Sequence, residues 1–194
     1  MNKVSVLVEG YAREWGGSGW EVSSSVVLVE GDKYKIICDP GINLELLSKG
    51  LEKEGLKYTD IDYVFLTHTH IDHSYGMALF SKAKVLDFLS IYERDTEDLH
   101  GGEIFGTNIK IIATPGHTVD HCSLMVPVKN GVNIVAGDTF WWAEDEEQKI
   151  DEHSLLTKKD PIRGVDQKIL LESRKKILEI ADFIIPGHGK TFEV

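Results

Sequence analysis

Runs of apolar residues separated by turn residues predict strands and then a helix in the first part of the chain. The strand-like runs are Lys3–Glu9, Ser24–Glu30 and Tyr34–Asp39, and Gly31-Asp32-Lys33 joins the last two as a hairpin turn. Asn43–Glu54 carries leucines at helical spacing and stops at Gly55, a residue that favours helix ends. A short apolar run, Ile61–Leu66, ends directly before a cluster of histidines.

The remainder of the chain repeats this order of strands and helices. One helix is predicted to start near Ser74, and a long amphipathic helix is predicted over Val165–Ile180. The predicted strands are Lys84–Phe88, Asn108–Ala113, Cys122–Val128, Val132–Ala136 and Phe183–Ile185, with Lys129-Asn130-Gly131 as a second hairpin turn. This order predicts an α/β sandwich with helices outside, and polar clusters follow several strands, where loops can converge on one site.

The composition narrows the class of protein. A chain of 194 residues with 42% hydrophobic residues can bury a substantial core, and no linker or repeat divides it, so we expect one domain over residues 1–194. Its 32 acidic and 21 basic side chains give a net charge of −11, which repels nucleic-acid phosphate at long range. Bound metal ions would add positive charge that this count omits, so RNA is kept as an alternative partner.

The sequence also predicts where the protein works. The apolar run after Lys3 is short and is interrupted by Glu9, which is untypical of a secretory signal. No stretch approaches the roughly 20 apolar residues that cross a bilayer. Cys38 and Cys122 form neither a CxxC pair nor a disulfide framework, so we expect reduced, buried thiols. A cytoplasmic protein without membrane contact is expected, and the oligomeric state is left open.

The candidate chemistry begins in the segment Thr67-His68-Thr69-His70-Ile71-Asp72-His73. Three imidazoles and a carboxylate are poor packing groups, because each buried ring has two nitrogens to satisfy and protonated rings repel one another. Neutral imidazole nitrogens and carboxylate oxygens are good zinc ligands. In an extended segment His68 and His70 point the same way, whereas Asp72 and His73, at the turn into the next helix, can face a second ion. The segment predicts a metal site.

Two complete metal sites need more ligands than this segment supplies. Three further residues each follow a strand-like run and lie beside glycine, which lets backbone approach a crowded site. They are His117 in Thr114–Thr118, Asp138 in Ala136–Thr139 and His188 in Pro186–Gly189. Each is a weak signal alone, but together with the first segment they form a specific pattern.

The pattern HxHxDH, followed by a histidine, an aspartate and a histidine, resembles that of the metallo-β-lactamase superfamily. The resemblance implies the αββα sandwich of that fold, with two central mixed β-sheets and helices outside. It implies that His68, His70 and His117 hold one metal ion, that Asp72, His73 and His188 hold the other, and that Asp138 bridges the two. We expect two divalent ions per chain, with zinc favoured and iron or manganese as alternatives.

Flanking segments narrow the resemblance to one subgroup. Glu9-Gly10-Tyr11-Ala12, His73–Phe80 and Ala181–Phe192 are similar to metallo-β-lactamase domain-containing protein 1 and its microbial relatives. Zinc β-lactamases of the best-known class carry cysteine where this chain has Asp138, so we do not expect antibiotic hydrolysis as the main role. RNA cleavage has been linked to the animal relative, which keeps a nuclease function open.

The expected reaction is hydrolysis by an activated water. Two metal ions can lower the pKa of a shared water towards roughly 7, and the resulting hydroxide attacks a carbonyl carbon or phosphorus. Asp72 is the expected catalytic residue, which orients that water and carries a proton to the leaving group. Asp39 is a candidate to accept a hydrogen bond from a ligand histidine, and is otherwise a turn aspartate.

The predicted function is therefore a metal-dependent hydrolase of an ester, thioester, lactone or phosphodiester in a small-molecule substrate. The alternatives are an RNA endonuclease-type phosphodiesterase and a mono-iron oxidoreductase like the persulfide dioxygenases. Three substrate-contact hypotheses remain open: Trp15–Trp20 forms a flap or a surface hairpin, Trp141 or Trp142 lines the pocket or packs in the core, and His121 lies in the pocket or on the surface.

Overall fold

The computed structural model describes residues 1–104 and 106–194. Its described strands form two mixed sheets and one separate hairpin. The strands are β1 (Lys3–Val8), β2 (Tyr11–Trp15), β3 (Gly19–Ser23), β4 (Val26–Glu30), β5 (Lys35–Cys38), β6 (Tyr63–Phe65), β7 (Lys84–Leu86), β8 (Ser90–Glu93), β9 (Thr96–Leu99), β10 (Lys110–Ala113), β11 (Cys122–Val128), β12 (Gly131–Trp141), β13 (Phe183–His188) and β14 (Phe192–Glu193).

Two layers of strands follow from this order. The first sheet runs β1-β4-β5-β6-β7-β8-β9 and the second runs β10-β11-β12-β13-β14, while β2 and β3 pair only with each other among the described strands. Both sheets are mixed, because β5-β6-β7 and β12-β13 pair in parallel and the other neighbours are antiparallel. Carboxyl ends of parallel strands from both sheets therefore become available to one site.

Helices cover the outer faces of the sheets. They are α1 (Leu44–Lys53), α2 (Ile71–Ser74), α3 (Glu152–Thr157) and α4 (Gln167–Leu178), with 3-10 turns at Tyr58–Asp60 and Tyr75–Leu79. α1 is capped by the Asn43 side chain, which accepts from the Leu46 amide, and Gly55 takes a left-handed φ of +71° just beyond its end. The longest described helix, α4, has 12 residues, fewer than the roughly 20 that cross a bilayer.

Alternation along the strands divides the core into three layers. Val27 and Val29 face the second sheet, where they pack in one cluster with Leu124 and Val135. Their neighbours Val26 and Leu28 face the other way and pack with Leu47 and Leu51 of α1. On the far side, Ile134 and Ile184 pack with Leu155 of α3 and Ile177 of α4. This helix–sheet–sheet–helix order confirms the predicted αββα sandwich.

Several predicted elements differ in extent from the observed ones; the strand expected over Phe183–Ile185, for example, runs on to His188. The helix expected near Ser74 begins at Ile71 and is only four residues long, so Asp72 and His73 lie inside it. It tightens into a 3-10 turn because the Gly76 amide bonds the Gly41 carbonyl, an approach that a side chain at Gly76 would block. The strand expected over Val132–Ala136 runs on to Trp141, because β13 pairs with it through two register shifts.

Further elements were not predicted. The β8–β9 pair and α3 lack a clear hydrophobic period. All residues of β9 are exposed, and Leu155 is the buried residue of α3. The two cysteines are buried and free, as expected.

Candidate metal centre

The side chains proposed as ligands converge at one edge of the sandwich, at or beyond strand ends. His68 and His70 follow β6, Asp72 and His73 lie in α2, His117 follows β10, Asp138 lies in β12 and His188 ends β13. Their ligand atoms fall into two groups, within each of which the atoms lie within 4.8 Å of one another: His68, His70, His117 and Asp138, and Asp72, His73 and His188. The structure thus brings all seven predicted residues together.

Asp138 lies between the two groups. Its Oδ2 is 3.3 Å from His117 Nε2 and 3.9 Å from His68 Nε2. Its Oδ1 is 3.2 Å from His73 Nε2 and 3.5 Å from His188 Nε2. One carboxylate oxygen therefore faces each group, which is the arrangement expected of a bridging ligand.

Hydrogen bonds fix the tautomer of two of these histidines. His117 Nδ1 lies 2.7 Å from Asp160 Oδ2, and His73 Nδ1 lies 2.9 Å from Asp39 Oδ2. A buried carboxylate accepts hydrogen bonds, so each Nδ1 carries the proton and donates it. The Nε2 of both rings is left facing the centre, which is the orientation that metal-ligating histidines require.

Hydrogen bonds also place the Nδ1 proton of His68 and His188. Thr67 Oγ1 donates to Asp39 over 2.7 Å, so it can only accept from His68 Nδ1 at 3.0 Å. His188 Nδ1 lies 3.1 Å from the carbonyls of Tyr11 and Ser23, which are acceptors only. Four imidazoles are thus held by Nδ1, and the Nε2 of each faces the centre. The fifth, His70, is exposed at the rim and has its Nδ1 3.1 Å from His117 Nε2.

The donor set fits a pair of metal ions. Among the described residues, buried His68 Nε2, His73 Nε2 and Asp138 Oδ1 have no hydrogen-bond partner. Each such buried polar atom would cost about 1–3 kcal/mol if nothing satisfied it. Nitrogen and carboxylate donors pre-set in this way are the ligands that zinc and similar divalent ions take.

The electrostatics favour bound positive charge. Burial alone would lower the pKa of His73, but Asp138 and Asp39 reverse this and raise that pKa well above its ordinary value. Burial would likewise raise the pKa of Asp138, yet attraction to His73 and His188 holds it well below its usual range. The carboxylates therefore create a strongly negative potential at the imidazole nitrogens, which attracts cations.

Asp72 is the predicted catalytic residue, and it lies at the floor of the cleft. Its Oδ2 is 3.3 Å from His188 Nε2 and 3.6 Å from His73 Nε2. Burial would raise the pKa of Asp72, but the His188 contact outweighs it and the pKa is lowered. Asp72 is therefore a carboxylate at neutral pH and can accept a proton.

Asp39 holds one side of the centre. It follows β5 in a left-handed conformation with φ of 44°, which aims its carboxylate across the loop after β6. It accepts hydrogen bonds from the Thr67 amide at 2.8 Å, from Thr67 Oγ1 and from His73. The hypothesis that Asp39 accepts from a candidate ligand histidine fits this geometry.

Asp160 holds the other side and was not predicted. Besides His117, it accepts from Trp141 Nε1 at 3.1 Å and from the Ile162 amide at 2.9 Å. The Gln167 side chain clamps the Asp160 backbone, accepting from its amide and donating to its carbonyl. The sequence offered only the weak signal of an aspartate before proline in a charged stretch.

The hypotheses about the surrounding residues have mixed outcomes. His121 is fully buried, so the surface position is wrong. It stacks near His68 with ring centroids 5.1 Å apart, and its burial, with repulsion from His117, lowers its pKa to about 3. Trp141 lines the cleft, while Trp142 packs in the core. Residues Tyr11–Ser23 form a hairpin whose Trp20 lines the cleft.

The cleft over the candidate metal centre is small and mostly apolar, with a volume of about 210 Å³. His70, Asp72, His117, Asp138 and His188 form its polar floor. Its walls are Ala12, Trp20, Val22, Trp141 and Ile162. Such a mixture, with few convergent polar groups in an apolar pocket, is typical of small-molecule sites.

Comparison with known proteins gives a consistent result. Residues 19–87 match the Metallo-beta-lactamase superfamily. The whole chain is 34% identical to metallo-beta-lactamase domain-containing protein 1 of Xenopus laevis, of which it covers 82%. This confirms the subgroup expected from the flanking segments.

Solved structures share the fold. A Thermotoga maritima protein assigned as a metallo-beta-lactamase superposes with a TM-score of 0.76 at 20% identity, covering 100% of this chain and 99% of that one. A protein solved in a di-iron-bound form gives a TM-score of 0.63 at 22% identity, covering 88% of this chain and 89% of that one. At these identities the likeness establishes the architecture alone.

Proposed function

The chain belongs to the metallo-beta-lactamase superfamily, and from this premise we propose that it is a hydrolase that uses two divalent metal ions. The ions are zinc, and the bond cleaved is an ester, thioester, lactone or phosphodiester in a small molecule. The observation that carries the proposal is the division of the seven side chains into two groups, with one oxygen of Asp138 facing each. In a mono-iron oxidoreductase, one of these two groups of side chains would bind no metal ion.

The identity of the metal follows from the donors. Zinc binds imidazole nitrogen and carboxylate oxygen, and it outcompetes iron in such sites when both are available. A relative solved with two iron ions makes iron the natural competitor, which metal analysis distinguishes. We assign His68, His70 and His117 to one ion, Asp72, His73 and His188 to the other, and Asp138 to both.

The residues of the chain have defined parts in the reaction. When bound, the ion pair supplies an acidified water and polarises the oxygen of the attacked group. Asp72 would accept a proton from the attacking water and pass it to the leaving group, because its carboxylate is ionised and opens to the cleft. Asp39 and Asp160 hold His73 and His117 with Nε2 free. The apolar walls exclude bulk water from around these polar groups.

The test is metal-dependent hydrolysis. Purified protein is stripped with a chelator, reloaded with zinc, and assayed with esters, thioesters, lactones, phosphodiesters and short RNAs. We expect activity on at least one substrate class that chelation abolishes and zinc restores, with close to two zinc ions per chain. A single iron per chain together with oxygen consumption would contradict the proposal.

The role of Asp72 needs a matched control. We expect Asp72→Asn to slow turnover by about 10²- to 10⁴-fold, the usual worth of a proton-transfer group. Asp145→Asn, which removes an exposed carboxylate from the loop beyond β12, should leave turnover unchanged. Full turnover in an Asp72→Asn protein that is folded and metal-loaded would remove Asp72 from the mechanism.

A further inference from the structure

The hairpin formed by β2 and β3 has two chemically different faces. Its register pairs Ala12 with Val22 and Glu14 with Trp20, so these four residues share one face. Arg13 pairs with Glu21 on the opposite face, where their side chains form an ion pair of 2.7 Å. The hairpin is therefore amphipathic. Its two strands pair with each other and with no other described strand.

The apolar face of the hairpin is directed at the metal centre. Ala12, Val22 and Trp20 all line the cleft, next to the proposed ligands His70 and His188. Trp15, at the end of β2, lies on the other face, is 69% exposed and is not among the cleft residues. An amphipathic element that turns its apolar side to a polar catalytic floor provides a surface for an apolar part of the substrate.

The remainder of the lining has the same character. Trp141 and Ile162 complete the walls, and no lysine or arginine lines the cleft in the part of the chain that the structure describes. Glu14 shares the cleft-facing side of the hairpin and adds negative charge at the Trp20 end. A phosphodiester keeps its negative charge, and beyond the metal ions of the proposed function the described lining offers no side-chain cation to pair with it.

We propose that the substrate is an uncharged ester, thioester or lactone whose acyl chain lies against Ala12, Trp20, Val22 and Ile162. This inference rests on the proposed function and narrows it to acyl substrates. Water adds to the acyl carbon, the bond from that carbon to the leaving oxygen or sulfur breaks, and the leaving group takes a proton. The products are a carboxylic acid and an alcohol or thiol. The hairpin sets specificity through the length of the acyl chain.

The experiment compares acyl chains of increasing length. Zinc-loaded protein is assayed with 4-nitrophenyl acetate, butanoate, hexanoate and octanoate, and with bis(4-nitrophenyl) phosphate and a short RNA. Each added methylene that reaches the wall should raise kcat/KM by up to about fourfold, the effect of removing one CH₂ from water. We expect the esters to be hydrolysed at least 100-fold faster than the two phosphodiesters.

Two tryptophans of the same hairpin provide matched variants. Trp20→Ala should raise KM for the octanoate about tenfold, leave kcat nearly unchanged and flatten the dependence on chain length. Trp15→Ala, on the opposite face, should keep the wild-type dependence. Ile162→Ala should also raise KM for the octanoate. It keeps the backbone amide that donates a hydrogen bond to Asp160. Retained zinc content and an unchanged far-ultraviolet circular dichroism spectrum verify that each variant is folded.

The outcomes separate the inference from the proposed function. Metal-dependent hydrolysis that favours the phosphodiesters, shows no dependence on chain length, or responds equally to Trp15→Ala and Trp20→Ala would overturn the acyl inference while the hydrolase stands. A zinc-loaded protein that hydrolyses none of the substrates would overturn the proposed function and the inference with it.

Discussion

Two buried carboxylates orient the candidate ligands, and the chain holds them in different ways. Asp39 is positioned by regular structure: it directly follows β5, its amide donates to the carbonyl of Phe65, and its side chain accepts from both donors of Thr67. Asp160 belongs to an irregular segment between α3 and α4. It is held by side chains of α4, among which Gln167 contacts its backbone directly.

Arg174 is the second anchor of the Asp160 segment. It is 2% exposed, and its guanidinium donates to the carbonyls of Thr139, Leu155 and Lys158. Burial lowers its pKa to about 10, which keeps the side chain charged at neutral pH. The comparison teaches that one half of the site is built by strand ends and the other by a loop that a distant helix fixes.

The largest effect should come from removing the anchor of the loop. Arg174→Met leaves three carbonyls without their donor, two of them buried and one partly buried, and we expect a loss of about 4 kcal/mol in the free energy of unfolding. Lys175→Met, which removes an exposed ion pair with Glu172, should change it by less than about 0.5 kcal/mol. Urea denaturation measures both. A loss below about 1 kcal/mol for Arg174→Met would mean that Arg174 does not fix the Asp160 segment, and the contrast with Asp39 would fail.

The second largest effect is expected at Asp39. In Asp39→Asn, an amide NH₂ replaces a carboxylate oxygen and faces the donors of His73 and Thr67. The change disturbs His73 directly and His68 through Thr67, which is one histidine from each group of ligands. We expect zinc affinity to fall about 100-fold, the upper end for groups that orient ligands. Competition with a chromophoric chelator measures the affinity, with the exposed Asp32→Asn as control. An affinity within threefold of wild type would contradict this role.

A smaller effect is expected at Asp160. Among the candidate ligands, the Asp160 carboxylate contacts only His117, so in Asp160→Asn the ion assigned to Asp72, His73 and His188 should be unaffected. We expect one of two zinc ions to bind about tenfold more weakly. A titration with two resolved binding steps tests this, and weakening of both steps by equal factors would show that the two sides are not independent.

The smallest effect is expected one contact further out. Trp141→Phe keeps an aromatic ring in the cleft wall but removes the Nε1 donor to Asp160 together with part of the ring volume. Because Asp160 acts on the metal only through His117, the loss of one hydrogen bond to Asp160 should lower zinc affinity by about threefold. The same titration measures it. A loss larger than that of Asp160→Asn would mean that Trp141 acts on the centre by another route.

The same contrast explains what the sequence could predict. His68, His70, Asp72 and His73 are neighbours in the chain, and Asp39 follows a strand whose apolar pattern is clear, so local patterns suffice to find them. Asp160 and Arg174 act through contacts between segments that have no periodic pattern. Their partners are set by how α4 packs on the second sheet, which no local property of Lys158–Pro161 encodes.

The fold follows the same division. Strands that are short, mostly apolar runs, such as β4 and β11, were predicted close to their true bounds. The extension of β12 to Trp141 depends on its parallel partner β13, which lies far along the chain. The burial of His121 likewise depends on tertiary contacts with His68 and Thr114.

The central claim is that two ions lie on either side of Asp138, and anomalous diffraction from zinc-loaded crystals tests it most directly. We expect two peaks per chain at the zinc edge, each about 2.0–2.2 Å from one oxygen of Asp138 and from the nitrogens of its own group of histidines. A single peak, or two peaks that leave His188 or His117 without a metal contact, would contradict the account.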